Sequence, residues 1–566
     1  MCNLGGAALA PPRGCPPESV HAIQAEVTLW PIPNEGGDAV KSVKSTRLSV
    51  VNKVLLGILG ITGTVLVLLT TSHYGAGLST DSVAYIATAR NIAHGLGATS
   101  LDGNPLVLQA PFYSLLLACI DRLFGVDPLS SAPVVNAVIL GLLVYVSGSL
   151  ISRHLTQGYV YALLGAAAVL LSPALFGVSV MAWSEPLFVL FAVLFLLFLE
   201  SWLQNKDRAW FAIFTLSAAL ACITRYAGVT LILTGGLAIL LLDRERWKAR
   251  IVHAFVFASI SILPVGIWLI RNYAVSGTFL GPRAPAMFGL SRILKFAFDT
   301  LVSWYLPGAI LKHPSILFLV GAGIGFLAGF HSRGTWARIR TLPAGIAKVA
   351  PVLLFLITYL AFMVVSSATT EVSPLESRLM SPIYVPLTLL LLMLADQLLK
   401  PFGQRLYPRL ASILFAVAIG LWLLYPLSSI QAEVIAGLNQ GWGYSGRLWK
   451  ESPIVQYLQH EPVQTSHTIY SNAPDVLYIL VNLSAKTSPA QTAYNSSGLT
   501  PLSGPKVNDL SRIGESWPES NDSYLIWFDK IDREYLFTLS DLQSVADFRQ
   551  TNRFDDGGIY LVSRRQ

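Results

Sequence analysis

The amino-acid sequence predicts an α-helical polytopic membrane protein with about eleven transmembrane helices and a small C-terminal α/β domain. Of its 566 residues, 53% are hydrophobic and only 13% are charged, whereas an average soluble protein has roughly 25% charged residues. The apolar residues form long runs that one globular core could not bury, so a lipid bilayer must solvate them. The composition therefore excludes an ordinary soluble enzyme.

Eleven apolar runs follow a Pro- and Gly-rich segment, 1–46, which we expect to be a disordered cytoplasmic tail. They define a membrane domain over 47–427. The predicted spans are about 50–71, 131–151, 158–173, 184–203, 209–223, 227–242, 251–270, 313–330, 349–366, 382–399 and 410–427.

The basic residues predict the orientation of these spans, because Lys and Arg accumulate in cytoplasmic loops. With the N-terminus inside, 18 basic residues fall on the inner side and 9 on the outer side. The net charge of +7 is thus explained by topology rather than by nucleic-acid binding. An odd number of spans places the C-terminus outside the cytoplasm. We expect the protein to lie in the plasma (inner) membrane.

Two regions outside the spans are expected on the outer side. Segment 72–130 becomes one long external loop, because the apolar stretch 106–124 is interrupted by polar residues and suits an interfacial or re-entrant helix. Segment 428–566 is polar, and its patterns predict a domain with strands at 468–471, 524–528 and 559–562 and helices at 473–481 and 539–545. Its role is either packing or acceptor selection.

Asp81 begins a predicted short amphipathic helix in the external loop. One interpretation makes Asp81 a helix N-cap. The other makes it a general base for an acceptor hydroxyl or amine. The two roles are compatible, since a capping bond would also fix the geometry of the carboxylate.

Glu185 offers a second carboxylate on the same side, at the outer end of the fourth span. Ser184 and Pro186 around it are typical of a helix start. However, an ionisable residue at the mouth of a helical bundle is also a candidate functional group, because burying its charge is costly. Two carboxylates on one face could divide the work, one accepting a proton and the other positioning an acceptor.

Arg225, Arg271 and Arg378 end spans on this same predicted face. The planar guanidinium suits phosphate oxygens, although each arginine alone could equally be ion-paired or reach the membrane interface. The sequence contains no spacing typical of a metal site or of a nucleotide-phosphate loop, so we predict neither a metal nor another cofactor.

These motifs resemble the GT-C superfamily of polytopic glycosyltransferases, which includes protein O-mannosyltransferases and lipid A aminoarabinose transferases. The resemblance spans about 50–400. It rests on Asp81-Ser-Val-Ala-Tyr85, Ala89-Arg90-Asn-Ile-Ala-His94-Gly95, Ala110-Pro111-Phe-Tyr113, Ser184-Glu185-Pro186-Leu187, Thr224-Arg225-Tyr226-Ala227-Gly228, Arg271-Asn272 and Arg378-Leu-Met-Ser-Pro382.

The resemblance implies a function. Members of this superfamily move a sugar from a polyprenyl-phosphate carrier to a glycan, lipid or protein acceptor on the non-cytoplasmic face. By resemblance, Asp81 is the catalytic base and Glu185 the second acid. Arg225, Arg271 or Arg378 would bind the carrier phosphate, and Tyr85 and Tyr226 are predicted to bind substrate. A transporter or lipid flippase without transferase activity is the alternative.

Overall fold

The computed structural model describes residues 50–565 except 156–158, 284, 308–341, 371, 406–407, 462–466, 492–493, 496–499, 502–508 and 521. The predicted tail 1–46 and the predicted span 313–330 therefore lie outside the described residues. The described helices are α1 Val50–Thr70, α2 Thr80–Ala93, α3 Phe112–Phe124, α4 Pro128–His154, α5 Tyr159–Leu170, α6 Pro173–Ser179, α7 Glu185–Asn205, α8 Arg208–Thr224, α9 Val229–Leu242, α10 Trp247–Ser276, α11 Leu290–Tyr305, α12 Leu342–Thr369, α13 Ser377–Met380, α14 Tyr384–Arg405, α15 Pro408–Trp422, α16 Leu424–Asn439, α17 Arg447–Lys450, α18 Pro453–His460, α19 Pro474–Val481, α20 Leu510–Ser516 and α21 Leu539–Val545.

Among the described helices, seven are long and apolar enough to cross a membrane, and an eighth span forms if a bent pair is counted as one. The bent pair is Val160–Leu170 with Pro173–Ser179. The predicted spans 209–223 and 227–242 coincide with shorter apolar helices. Each predicted span outside 313–330 thus corresponds to an apolar helix, which confirms the predicted fold class.

The membrane domain is held together by close helix packing. Helices α1 and α4 lie close together at Gly60 and Gly141, where a Cβ on Gly60 would lie 2.7 Å from the Gly141 carbonyl oxygen. The Thr64 hydroxyl donates to the Ala137 carbonyl of α4 over 3.1 Å. Small residues permit such approach in a bilayer, where van der Waals packing and interhelical hydrogen bonds replace the hydrophobic effect. A Gly60 side chain would therefore force these helices apart.

A candidate membrane-spanning helix continues past residue 427, the predicted end of the membrane domain. Helix α16 runs from Leu424 to Asn439 and so crosses residue 427, where the sequence predicts the boundary. The continuing run Leu427 to Ala436 carries Ser428, Ser429, Gln431 and Glu433, and these polar residues lower the mean hydropathy next to the predicted boundary.

The C-terminal domain contains a five-stranded sheet in the order β2-β1-β5-β7-β6. Its strands are β1 Ile469–Ser471, β2 Lys486–Thr487, β5 Ser523–Phe528, β6 Ala546–Phe554 and β7 Gly557–Arg564, and a separate pair is formed by β3 Tyr494–Asn495 and β4 Thr500–Pro501. Strand β1 is parallel to its neighbours, and β7 is antiparallel to both of its neighbours. Apolar side chains alternate between the two faces, with Ile526 and Phe528 in one core cluster and Leu525 in another.

Helix α2 is buried rather than amphipathic. Every residue from Ser82 to Ala89 is buried, which contradicts the predicted amphipathic pattern. Neighbouring α3 and α4 pack against it, as does α19 of the C-terminal domain. Its small side chains, such as Ala84 and Ala87, let these neighbours cover it on all sides. The helix that carries Asp81 is therefore held from several directions.

Candidate active site

Asp81 does not cap its helix. Ser79 is the N-cap of α2, and it forms a reciprocal capping box with Ser82. The Asp81 carboxylate instead accepts a hydrogen bond from Gln109 Nε2 at 3.0 Å and pairs with Arg378 Nη2 at 2.6 Å. Its side chain is 29% exposed. The structure therefore leaves this carboxylate partly exposed and held by tertiary contacts.

Glu185 is the first residue of α7, and its side chain is only 1% exposed. Its Oε1 atom pairs with Arg225 Nη1 at 2.6 Å and with Arg378 Nε at 2.5 Å. A buried carboxylate is tolerated when such partners compensate for its lost hydration. Its Oε2 atom is buried and has no hydrogen-bond partner among the described residues.

Arg378 therefore links the two acids. We call Asp81, Glu185, Arg225 and Arg378 the carboxylate–arginine cluster. Its two negative and two positive charges sum to zero when all four groups are ionised. Because Arg378 uses Nε for Glu185 and Nη2 for Asp81, its planar fork fixes how far apart the two acids lie.

Aromatic and hydroxyl side chains support the cluster. The Arg378 guanidinium lies 4.1 Å from the centroid of the Trp183 ring, a cation–π contact. Trp183 Nε1 donates to Ser79 Oγ at 2.8 Å. The Tyr85 hydroxyl shares a 3.0 Å hydrogen bond with Ser184 Oγ, and Arg225 Nη1 also donates to Ser184 at 3.3 Å. Tyr85 is thus placed beside the cluster.

Arg271 and Tyr226 lie in a second group that anchors a loop. Arg271 donates to the carbonyls of Leu106 at 2.6 Å and Ala98 at 3.0 Å. The Tyr226 hydroxyl donates to the Val107 carbonyl at 2.8 Å. The two groups are joined at Gln109, which lies at the end of segment 98–109 and whose side chain donates to Asp81. These contacts give both residues a structural role in holding segment 98–109.

Two residues of the site were not predicted from the sequence. Gln109 appears in the sequence only as a polar interruption between Leu108 and Ala110, and Trp183 only as the neighbour of Ser184. The polar amide inside an apolar stretch was the available signal for Gln109. No comparable signal exists for the stacking of Trp183 on an arginine 195 positions further along the chain.

The pKa of Asp81 is shifted by its surroundings. Burial raises the pKa of this carboxyl, but the positive charge and hydrogen bond of Arg378, with smaller effects of Gln109 and Arg225, outweigh burial. The pKa of Asp81 therefore lies below its usual value, and the group is ionised at neutral pH. Within the described part of the chain, no group of three or more His, Cys, Asp or Glu side chains is arranged to hold a metal ion.

Comparison with known proteins shows which fold the chain shares. A sequence profile described as Dolichyl-phosphate-mannose-protein mannosyltransferase matches residues 108–268, a range that contains Gln109, Glu185 and Arg225. The chain has the fold of GT-C polytopic membrane glycosyltransferases, as the resemblance of its motifs predicts.

Particular solved structures share this fold. ArnT from Cupriavidus metallidurans bound to undecaprenyl phosphate superimposes with a TM-score of 0.59 at 12% identity, covering 90% of this chain and 98% of that one. The apo form of the same ArnT gives 0.57 at 13% identity, covering 89% and 97%. Arabinofuranosyltransferase AftD from Mycobacteria gives 0.50 at 16% identity, covering 92% of this chain and 40% of AftD. No curated protein sequence matches.

Proposed function

We propose that the protein transfers a single sugar, a hexose or pentose, from a polyprenyl-phosphate carrier to an acceptor on the non-cytoplasmic face of the membrane. The observation that carries this proposal is the joint placement of Asp81 and Glu185 around Arg378. A similar fold in an ArnT bound to undecaprenyl phosphate supports this class of carrier. The cytoplasmic N-terminus and the extracytoplasmic C-terminal domain follow from the distribution of basic residues.

The arginines would receive the carrier phosphate. Arg225 and Arg378 present planar guanidinium groups of the kind that bind phosphate oxygens bidentately. The carboxylate–arginine cluster is neutral, so an arriving phosphate competes with Asp81 for Arg378. This competition releases Asp81 from its ion pair. In the same step it places positive charge where the phosphate becomes a leaving group.

Asp81 is then the general base. The bond between the anomeric carbon and the phosphate oxygen breaks, and a bond from the acceptor oxygen or nitrogen to that carbon forms. The acceptor proton moves to Asp81, and the carrier leaves as polyprenyl phosphate. Glu185 is buried, with an Oε2 that has no partner among the described residues, and its Oε1 holds Arg225 and Arg378 in position for the phosphate. Tyr85 lies close enough to order the same region, and Tyr226 holds the adjoining loop.

A transfer assay tests this proposal. Purified protein in liposomes receives radiolabelled polyprenyl-phosphate sugars together with membrane lipid, glycan and protein acceptors. We expect label to move from the carrier to an acceptor. A fluorescent carrier-lipid flip assay on the same liposomes tests the alternative. Lipid translocation without any transfer, over several donor sugars, would replace the proposal with a flippase.

Replacing Gln109 with leucine is expected to move the acidic limb of the pH–rate profile to higher pH. The Gln109 hydrogen bond lowers the pKa of Asp81, so its loss raises that pKa and protonates the base at a higher pH. Ionised Asp81 stabilises the fold at pH values above the pKa of this carboxyl in the unfolded chain. This stabilisation is lost as the pH falls through its pKa in the folded protein. This contribution therefore shrinks in the variant.

Transfer rates measured across the acidic range check this prediction. Gln459→Leu is the control, because the amide of Gln459 donates to the Leu480 carbonyl in the C-terminal domain. An acidic limb at the same pH in Gln109→Leu and wild type would show that Asp81 does not control it.

Replacing Arg271 with glutamine is expected to loosen segment 98–109, because two hydrogen bonds to its backbone carbonyls disappear. Amide hydrogen exchange in this segment should rise, and the KM for the donor should increase. If Arg271 acts solely as a phosphate ligand, carrier affinity falls while exchange stays as in the wild type. Exchange mass spectrometry with a carrier-binding titration separates the two roles.

A further inference from the structure

Three distant chain segments pair in parallel next to the carboxylate–arginine cluster. Gly77 bridges Met181, and Leu78 bridges Gly443. Gly77 N donates to the Val180 carbonyl and Ala182 N to the Gly77 carbonyl, both at 2.9 Å. We call segments 76–79, 180–182 and 442–444 the three-segment ladder. Segment 76–79 is its middle member.

The ladder leads directly into both acids. Asp81 is the third residue after Leu78 on the middle segment, and Glu185 is the third residue after Ala182 on a flanking one. The hydrogen bond from Trp183 Nε1 to Ser79 Oγ links the two segments just before α7 and α2 begin. The register of the ladder therefore sets where α2 and α7 begin relative to each other.

The third segment comes from the C-terminal region. Leu78 N donates to the Trp442 carbonyl at 3.2 Å, and Tyr444 N donates to the Leu78 carbonyl at 2.9 Å. The buried Ser445 hydroxyl donates to the Ala76 carbonyl at 2.7 Å. Segment 442–445 thus covers the open edge of the middle segment and supplies hydrogen bonds along it.

Gly443 is required for this close approach. Its φ is +58°, and a Cβ on it would lie 1.9 Å from the Leu78 carbonyl oxygen. The obstructing atom is backbone, so it cannot rotate away as a side chain can. Any larger residue must displace the middle segment, three residues before Asp81.

The same turn is fastened to the α/β domain. Arg533 Nη2 donates to the Tyr444 hydroxyl at 3.4 Å and pairs with the buried Asp475 at 2.8 Å. Opposing charges raise the pKa of Arg533 despite burial, which would lower it. The α/β domain is therefore connected through Tyr444 to the segment that carries the predicted base.

We propose that Gly443 is a positioning residue for the transfer reaction, through which the C-terminal region holds Asp81 in register with Glu185. This inference rests on the proposed function. The turn 441–446 then helps to set the geometry of the reaction centre. Displacing a reacting group by about 1 Å can cost on the order of a hundredfold in rate.

Gly443→Ala tests the inference. We expect kcat to fall by about 10- to 100-fold, the KM for the donor to stay within about twofold because the arginines are unaltered, and amide exchange in 76–84 to rise. Gly125→Ala is the matched control. Gly125 has a similar φ of +66°, but its Cβ would meet no heavy atom within 4 Å, so the variant shares the backbone strain and not the clash.

A variant with a smaller structural change is used if Gly443→Ala does not fold. Ser445→Ala removes the hydroxyl that donates to the Ala76 carbonyl at 2.7 Å and to the Trp442 carbonyl at 3.0 Å, and we expect kcat to fall by about fivefold. A kcat equal to that of Gly125→Ala in every folded variant would overturn the inference and leave the proposed function standing. If the wild type transfers no sugar, the proposed function fails, and amide exchange in 76–84 is then the only test of the contact at Gly443. Faster exchange in 76–84 then supports the positioning contact, and unchanged exchange overturns it.

Discussion

Replacing Asp81 with asparagine is expected to lower kcat for sugar transfer by about 10²- to 10⁴-fold, the usual contribution of a general base. Asparagine keeps the shape of the side chain and can still accept the Gln109 hydrogen bond, but it cannot take a proton from the acceptor. Because Arg378 keeps its bond to the buried Glu185, the fold should persist. Transfer kinetics and thermal unfolding of the purified protein measure both effects.

Asp127→Asn is the matched control for this variant. Asp127 also pairs with an arginine, since Arg90 Nε lies 2.7 Å from Oδ2, and Arg90 belongs to α2 as Asp81 does. The control therefore removes one carboxylate charge from the same helix surroundings without touching the cluster. Equal rates for Asp81→Asn and the wild type, or equal losses in both variants, would contradict the role of Asp81.

Replacing Glu185 with glutamine is expected to destabilise the protein by about 3–5 kcal/mol, the usual cost of removing one partner of a buried ion pair. Arg225 and Arg378 both lose the negative charge of the carboxylate that they share. Arg378 is then held in place by fewer contacts, so transfer should also fall per folded molecule. The change in unfolding temperature and the specific activity of the folded fraction measure the two losses separately.

Glu200→Gln provides the comparison. Glu200 is 4% exposed and lies 3.0 Å from His154 Nε2, at the other end of α7 from Glu185. This variant should lose stability but keep its activity per folded molecule. If Glu185→Gln behaves in the same way, then Glu185 supports the fold alone.

Local sequence patterns were sufficient to predict most of the helices. An apolar run long enough to cross a bilayer must satisfy its own backbone groups, and a helix is how a single segment does so. The sequence also predicted one shared side of the membrane for Asp81, in the external loop, and for Glu185, Arg225 and Arg378, at span ends, but it predicted the same side for Arg271, which lies in a separate group. The pairing distances within the cluster were not predictable, since Arg378 is 297 positions from Asp81.

Other features depend on contacts that no local pattern encodes. Arg271 reaches carbonyls 165 and 173 positions away, so its loop-anchoring role was invisible in the sequence. In the sequence, Gly443 resembles an ordinary turn glycine, and only the structure shows that the Leu78 backbone lies against it. Strand β6 escaped prediction because it is a mostly exposed edge strand with the polar sequence ADFRQTNRF, and edge strands carry such polar residues to avoid aggregation.

A cryo-electron microscopy structure with bound undecaprenyl phosphate would show whether the carboxylate–arginine cluster is the reaction centre. We expect phosphate density in hydrogen-bond contact with Arg225 or Arg378, together with an Asp81 carboxylate that has separated from Arg378. Phosphate bound beyond the reach of both guanidinium groups, with the Asp81–Arg378 ion pair intact, would contradict the assignment of this cluster as the reaction centre.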